Sequence, residues 1–85
     1  MDESVSNAIL KTLNECGPSR ALKLDPLTTY VNAHLPAYAE RNTVQSHLNS
    51  LERSGFVRHE SSPVSPNVFS YSITPAGQAI AATLI

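Results

Sequence analysis

Apolar residues recur at helical spacing in four stretches of this chain and alternate in two others, which is enough to predict an element order. Val5, Ala8, Ile9, Leu13 and Cys16 make one stripe of a helix expected over about residues 3–16. Asp2 or Ser4 can cap its start, and Gly17-Pro18 ends it. The four residues "ALKL" (21–24) suit a one-turn strand. In "DPLTTYVNAHL" Asp25 reads as an N-cap and Pro26 as the first helical residue, where its missing N–H costs nothing. Leu27, Tyr30, Val31 and His34 then share a face, and Pro36 stops the helix. A third helix is expected at about 40–54, with Val44, Leu48 and Leu51 inward and Asn42, Ser46, Asn49 and Arg53 opposite. Gln45 and Ser50 flank that outer face, and Ser54-Gly55 ends the helix.

The remainder alternates before it turns helical again. "FVRHE" (56–60) predicts a strand, "SSPVSPN" (61–67) a proline-stiffened loop, and "VFSYSI" (68–73) a second strand with Phe69, Tyr71 and Ile73 on one side. Thr74 and Pro75 open a last helix, in which Ala76, Ile80, Ala81 and Leu84 are expected to pack inward. The order is helix, short strand, two helices joined by a turn, a β-hairpin, and a helix. That is an α+β fold in which a hairpin closes the open side of a three-helix core, expected as a single domain over 1–85.

Residues 43–57, "TVQSHLNSLERSGFV", resemble the recognition helix and first wing strand of winged helix-turn-helix regulators such as the bacterial MarR and PadR families. Thr43-Val44, Leu48 and Leu51, Gly55 and Phe56-Val57 fill the places of that pattern. "YSITPAG" (71–77) resembles the end of the second wing strand and the cap of the next helix in the same families, and the match in order covers about residues 5–82. The resemblance implies a winged helix-turn-helix with a three-helix core, a β-hairpin wing and a C-terminal helix, acting as a transcriptional regulator on DNA. Two departures stand out. The chain has no counterpart of the long flanking helices through which MarR-type regulators dimerise, so their ligand pocket and dimer mode are not carried over. The tip "SSPVSPN" has no Lys or Arg, where DNA-binding relatives commonly place a basic wing.

Charge refines the picture. The net charge is −1, but it is unevenly spread. Residues 41–59 hold Arg41, Arg53 and Arg58 against Glu52, a net of +2, while the rest holds three cations against six carboxylates, a net of −3. The third helix is therefore at the positive end of an acidic protein. Asn and Gln can pair bidentately with adenine in the major groove, and Arg with guanine. Asn42, Gln45, Ser46 and Asn49 are the expected base readers, and Arg41, Arg53 and Arg58 the expected phosphate contacts. Thr43 either caps the helix or contacts DNA. His47 is placed at the core boundary, where its ring could also reach a phosphate. Alternation puts Arg58 and His59 on opposite faces of their strand, and Arg58 is favoured for the DNA side. Arg20 and Lys23, before the second helix, suit either phosphate contact or solvation.

Other chemistries find little support. His34, His47, His59 and Cys16 form no C-x-x-C or H-x-x-x-H pair, so no metal is expected. There is no glycine-rich phosphate loop or paired acid and base, so neither an enzyme nor a cofactor site is expected, nor a small-molecule substrate. No apolar run approaches the roughly 18 residues of a membrane span. The start "MDESVSNAIL" has no signal-peptide pattern, and the lone Cys16 suits a reducing cytoplasm. The apolar end "AIAATLI" (79–85) is a candidate homodimer surface, the alternative being a cap on the core. The rival expectation for the whole chain is a winged-helix protein-interaction module without DNA binding, which the neutral charge and uncharged wing favour.

Overall fold

The computed structural model describes residues 4–17, 20–61, 64 and 69–83. The elements run α1 (Ser4–Cys16), β1 (Leu22–Lys23), α2 (Leu24–Ala33), α3 (Arg41–Arg53), β2 (Val57–Ser61), β3 (Phe69–Ile73) and α4 (Pro75–Ala81). Ile9 and Leu13 of α1, Leu27 and Val31 of α2, and Val44 and Leu48 of α3 are fully buried together with Val57 and Ile73 of the sheet. Each of these side chains contributes about 1.5–3 kcal/mol by leaving water. The three strands are antiparallel in the order β1-β3-β2, so the hairpin's second strand is the centre of the sheet.

Two glycines set the chain's corners. Gly17, at φ +88°, closes α1 by donating its N–H to the Leu13 and Asn14 carbonyls. Gly55, at φ +84°, does the same for α3. There the Phe56 N–H reaches the Leu51 carbonyl and the Gly55 N–H the Glu52 carbonyl, the paired bonds of a Schellman turn. The turn aims Phe56-Val57 straight into β2. Phe56 then accepts the Thr74 N–H at 3.1 Å, which ties the start of the wing to its end. Thr74 caps α4 by accepting the Gly77 N–H and also donates to the Gly55 carbonyl at 2.6 Å. The sequence expectations for β1, α3, the two hairpin strands and the Thr74-Pro75 helix start hold, as do the bounds of α1, although Cys16 is only half-buried and Asp2, one of its expected caps, lies outside the described residues.

Three expectations fail. Asp25 is not the cap of α2: Lys23 holds that position, and Asp25 and Pro26 follow as the second and third helical residues. Lys23 is paired with Ser70 in β1, so the chain passes from strand to helix with no residue between. Tyr30 and His34 do not join the buried face of α2, which is Leu27, Thr28 and Val31. In α4 the inward residues are Gly77 and Ala81, whereas Ala76 is exposed and Ile80 is 38% exposed. Close approach to the Phe56 carbonyl selects the glycine face. Leu84 and Ile85, part of the expected inward and dimer-forming tail, and most of the wing tip lie outside the described residues.

Candidate nucleic-acid interface

One face of α3 packs on α1, α2 and β2, and the other is open. Asn42, Thr43, Ser46, Asn49 and Arg53 are all exposed, against buried Val44, Leu48 and Leu51. His47 sits at the edge, half-buried, with Nδ1 2.8 Å from the Ser6 hydroxyl of α1. The start of α3 has no side-chain cap from Glu40, and Thr43 projects from its first turn without capping it.

The turn between α2 and α3 is held by a residue with no obvious sequence signal. Asn32 donates its amide to the Thr28 carbonyl at 2.9 Å and the Ala39 carbonyl at 3.0 Å, and accepts the Ala39 N–H at 2.7 Å. A single side chain thus pairs both polar groups of buried Ala39 and fixes the approach of α3 to α2.

The candidate side chains differ in how free they are. Arg41 forms an exposed ion pair with Asp25, Nε to Oδ1 3.1 Å. Ser46 donates its hydroxyl to the Asn42 carbonyl at 3.0 Å and keeps its lone pairs outward. Gln45 is half-buried and engaged. Its Nε2 donates to Asn49 Oδ1 at 3.0 Å and to the Tyr71 hydroxyl at 2.8 Å. Bidentate pairing with adenine requires a free amide donor and acceptor on one side chain. Gln45 therefore has only its Oε1 acceptor left to offer a base, not the donor and acceptor of a bidentate contact.

The strand register reverses the expectation for Arg58. Cross-strand pairing sets His59 opposite Tyr71 and Arg58 opposite Ser72, so these pairs face opposite ways. His59 lies on the α3 side, where its Nδ1 meets the Glu52 carboxylate and its ring is edge-on to Phe69 at 5.2 Å. Arg58 turns to the back of the wing and donates from Nε to the buried Ser72 hydroxyl at 3.1 Å. Glu52, Tyr71 and Asn32 thus support this surface from behind, which sequence reasoning missed. A contact 26 residues away in sequence leaves no local trace, although Asn32, an amide just before a proline turn, offered a weak one.

A groove of about 370 Å³ runs between the starts of α2 and α3 and the face of β3, with Lys23, Asp25, Arg41 and Phe69 on its walls. Arg20 is not part of it and lines a separate cleft of about 570 Å³ beside Thr12, Cys16 and Tyr30. Lys23 and Arg41 therefore share a surface, and Arg20 does not. Among the described residues no group of three or more His, Cys, Asp or Glu side chains is placed to hold a metal ion, and no helix is long and apolar enough to cross a membrane.

A family model described as HxlR-like helix-turn-helix matches residues 6–85. No curated protein matches significantly. Similar solved structures include a MarR-family transcriptional regulator from Silicibacter pomeroyi, at 22% identity and TM-score 0.78, covering 95% of this chain and 48% of that one. BpsR of Bordetella bronchiseptica, whose DNA binding is regulated by 6-hydroxynicotinic acid, is 16% identical with TM-score 0.78, covering 94% and 54%. The PcaV transcriptional regulator of Streptomyces coelicolor is 18% identical with TM-score 0.75, covering 93% and 50%. The chain spans about half the length of these structures. At such identities the likeness establishes the fold, the winged helix-turn-helix that residues 43–57 and 71–77 resemble in sequence.

Proposed function

The chain belongs to the HxlR-like helix-turn-helix family, and from that premise we propose that it binds double-stranded DNA sequence-selectively as a small transcriptional regulator, with α3 in the major groove. The observation that carries this reading is the open outer face of α3, where Asn42, Ser46, Asn49 and Arg53 stand exposed above a fully buried stripe. A helix of about 10–12 Å diameter with its side chains fits a groove about 12 Å wide. Asn42, Gln45, Ser46 and Asn49 read base edges, Thr43 contacts a base or phosphate from the first turn, and Arg41 and Arg53 grip phosphates at the two ends. Lys23 adds a third cation beside Arg41. Arg58, turned to the back of the wing, is not counted among these contacts. The chain acts by occupying its site, without chemistry, and the DNA partner places it in the cytoplasm.

Electrostatics sets the scale. Three phosphate contacts give a slope of roughly −2.7 in log affinity against log salt, and affinity falls about 40-fold between 50 and 200 mM salt. Fluorescence anisotropy on a mixed duplex tests this, with Arg41→Ala expected to weaken binding and flatten the slope by about 1. Retention no better than that of a neutral control protein rejects the reading.

Pairing on a two-fold site is part of the proposal. Ala76, Ala79 and Ile80 are exposed along α4, which packs beside α1, and supply an apolar strip for a second copy. Light scattering across a concentration series tests it, with a monomer at all concentrations counting against it. The alternative, a protein-interaction module, draws on Tyr38, 77% exposed in the turn before α3, and on Val64, 88% exposed at the wing tip. Under that reading Tyr38→Ala abolishes partner capture and DNA binding is absent.

A further inference from the structure

We infer that Gln45 and Asn49 read bases as one coupled unit held in place by the Tyr71 hydroxyl. This rests on the DNA-binding reading above for its consequence, though not for its geometry. Tyr71 is a fixed point. It lies in the central strand, paired with Leu22 on one side and His59 on the other, and is 4% exposed. Its hydroxyl reaches Gln45 Nε2 at 2.8 Å, and the same nitrogen reaches Asn49 Oδ1 at 3.0 Å. Gln45 and Asn49 are four residues apart on one helix face, so the chain Tyr71–Gln45–Asn49 runs from the sheet interior to the open surface of α3.

An amide nitrogen has two protons, and Gln45 spends both inside the protein. What remains is the Gln45 Oε1 acceptor. Asn49 has its oxygen engaged and its Nδ2 donor free among the described residues. Neighbouring side chains therefore present one acceptor and one donor, never two of a kind. The coupling survives exchange of nitrogen and oxygen in both amides, because the Tyr71 hydroxyl can donate as well as accept. Both groups then invert together. The free amides of a solvated helix face would turn independently and read less selectively. Here the match is an exocyclic amino group and a ring-nitrogen or carbonyl acceptor at adjacent places on the major-groove edge. Tyr71 is thus a positioning residue that never touches DNA and still sets preference.

The test combines a DNA readout with one on the protein alone. Selection from a randomised duplex pool is run with wild type, Tyr71→Phe, Gln45→Leu and the double variant, with thermal unfolding checking that each is folded. Wild type should discriminate at the two adjacent positions by about fivefold or more, and Tyr71→Phe by about twofold or less. Affinity for random duplex should not change. In the Gln45→Leu background the Tyr71 change should have no further effect, since the hydroxyl's one hydrogen-bond partner among the described residues is gone. Unaltered preferences in folded Tyr71→Phe overturn the inference. So does a uniform loss on every sequence, or a Tyr71 effect that adds fully to that of Gln45→Leu. In the free protein, the side-chain amide signals of Gln45 and Asn49 should both move in nuclear magnetic resonance spectra of Tyr71→Phe. Static signals overturn the coupling. Wild type that fails to bind any duplex while those signals still move rejects the DNA reading and leaves the coupling intact.

Discussion

Replacing Gly77 with alanine sets two effects of opposite sign against each other, and the structure decides between them. In an average helix the change stabilises by about 1 kcal/mol, because alanine loses less backbone entropy than glycine. At Gly77 the added Cβ meets the Phe56 carbonyl oxygen at 2.1 Å, Ile73 Cγ1 at 2.7 Å and the Phe56 carbonyl carbon at 3.0 Å. A comfortable carbon-to-oxygen approach is about 3.3 Å, so the backbone must part by over about 1 Å. The neighbours are poorly placed to give way. The Phe56 carbonyl accepts the Thr74 N–H, its residue follows the Gly55 turn, and Ile73 is 1% exposed. A backbone clash belongs at the upper end of the overpacking range, about 3 kcal/mol, which leaves a net loss of about 2 kcal/mol. For a chain of this size the midpoint of thermal unfolding should fall by roughly 8–16 °C. Urea unfolding followed by circular dichroism measures the free energy, and calorimetry the midpoint. A Gly77→Ala protein as stable as wild type, or more so, refutes the reasoning. Because Phe56 joins α3 to the wing, the same variant should also bind DNA more weakly than its folded fraction explains.

Asp25→Asn removes an acid from the groove and releases Arg41, so duplex affinity at low salt should rise severalfold; unchanged binding would show that Arg41 stands clear of phosphate. Thr12 has a buried hydroxyl with no hydrogen-bond partner among the described residues, and Thr12→Val should stabilise the protein by about 1 kcal/mol in urea unfolding, whereas a loss of that size contradicts the buried environment. Asn32→Ala strands both polar groups of Ala39 and should cost about 2–3 kcal/mol, with DNA binding reduced beyond the effect on folding; a cost under about 0.5 kcal/mol would mean that the turn needs no clamp.

Most of the architecture was legible in the sequence because hydrophobic period and turn chemistry agreed. The stripe Val44, Leu48, Leu51 followed by Gly55 located α3 and its end to within a residue, and Thr74-Pro75 located α4. The start of α2 was misread because Asp-Pro is a strong local signal and the competing constraint is tertiary: Lys23 is committed to β1 through Ser70. The inner face of α4 was misread for a related reason. Hydropathy favours Ile80, but contact at the Phe56 carbonyl leaves room only for a residue without a Cβ. At the candidate site, the open face of α3 followed from helical geometry alone. The state of its side chains did not. Gln45 answers to Tyr71, and whether Arg58 or His59 faces α3 depends on a register that alternation alone cannot set.

If the outer face of α3 enters the groove of DNA, its backbone must sense the duplex first. Titrating isotope-labelled protein with a duplex taken from the selected pool, and following backbone amide signals, tests it most directly. The largest shifts should fall at Asn42, Ser46, Asn49 and Arg53, smaller ones at Lys23 and His59, and none at Tyr30 or His34 on the far side of α2. Shifts centred on Tyr30 and His34, or an α3 unmoved at saturating duplex, would contradict it.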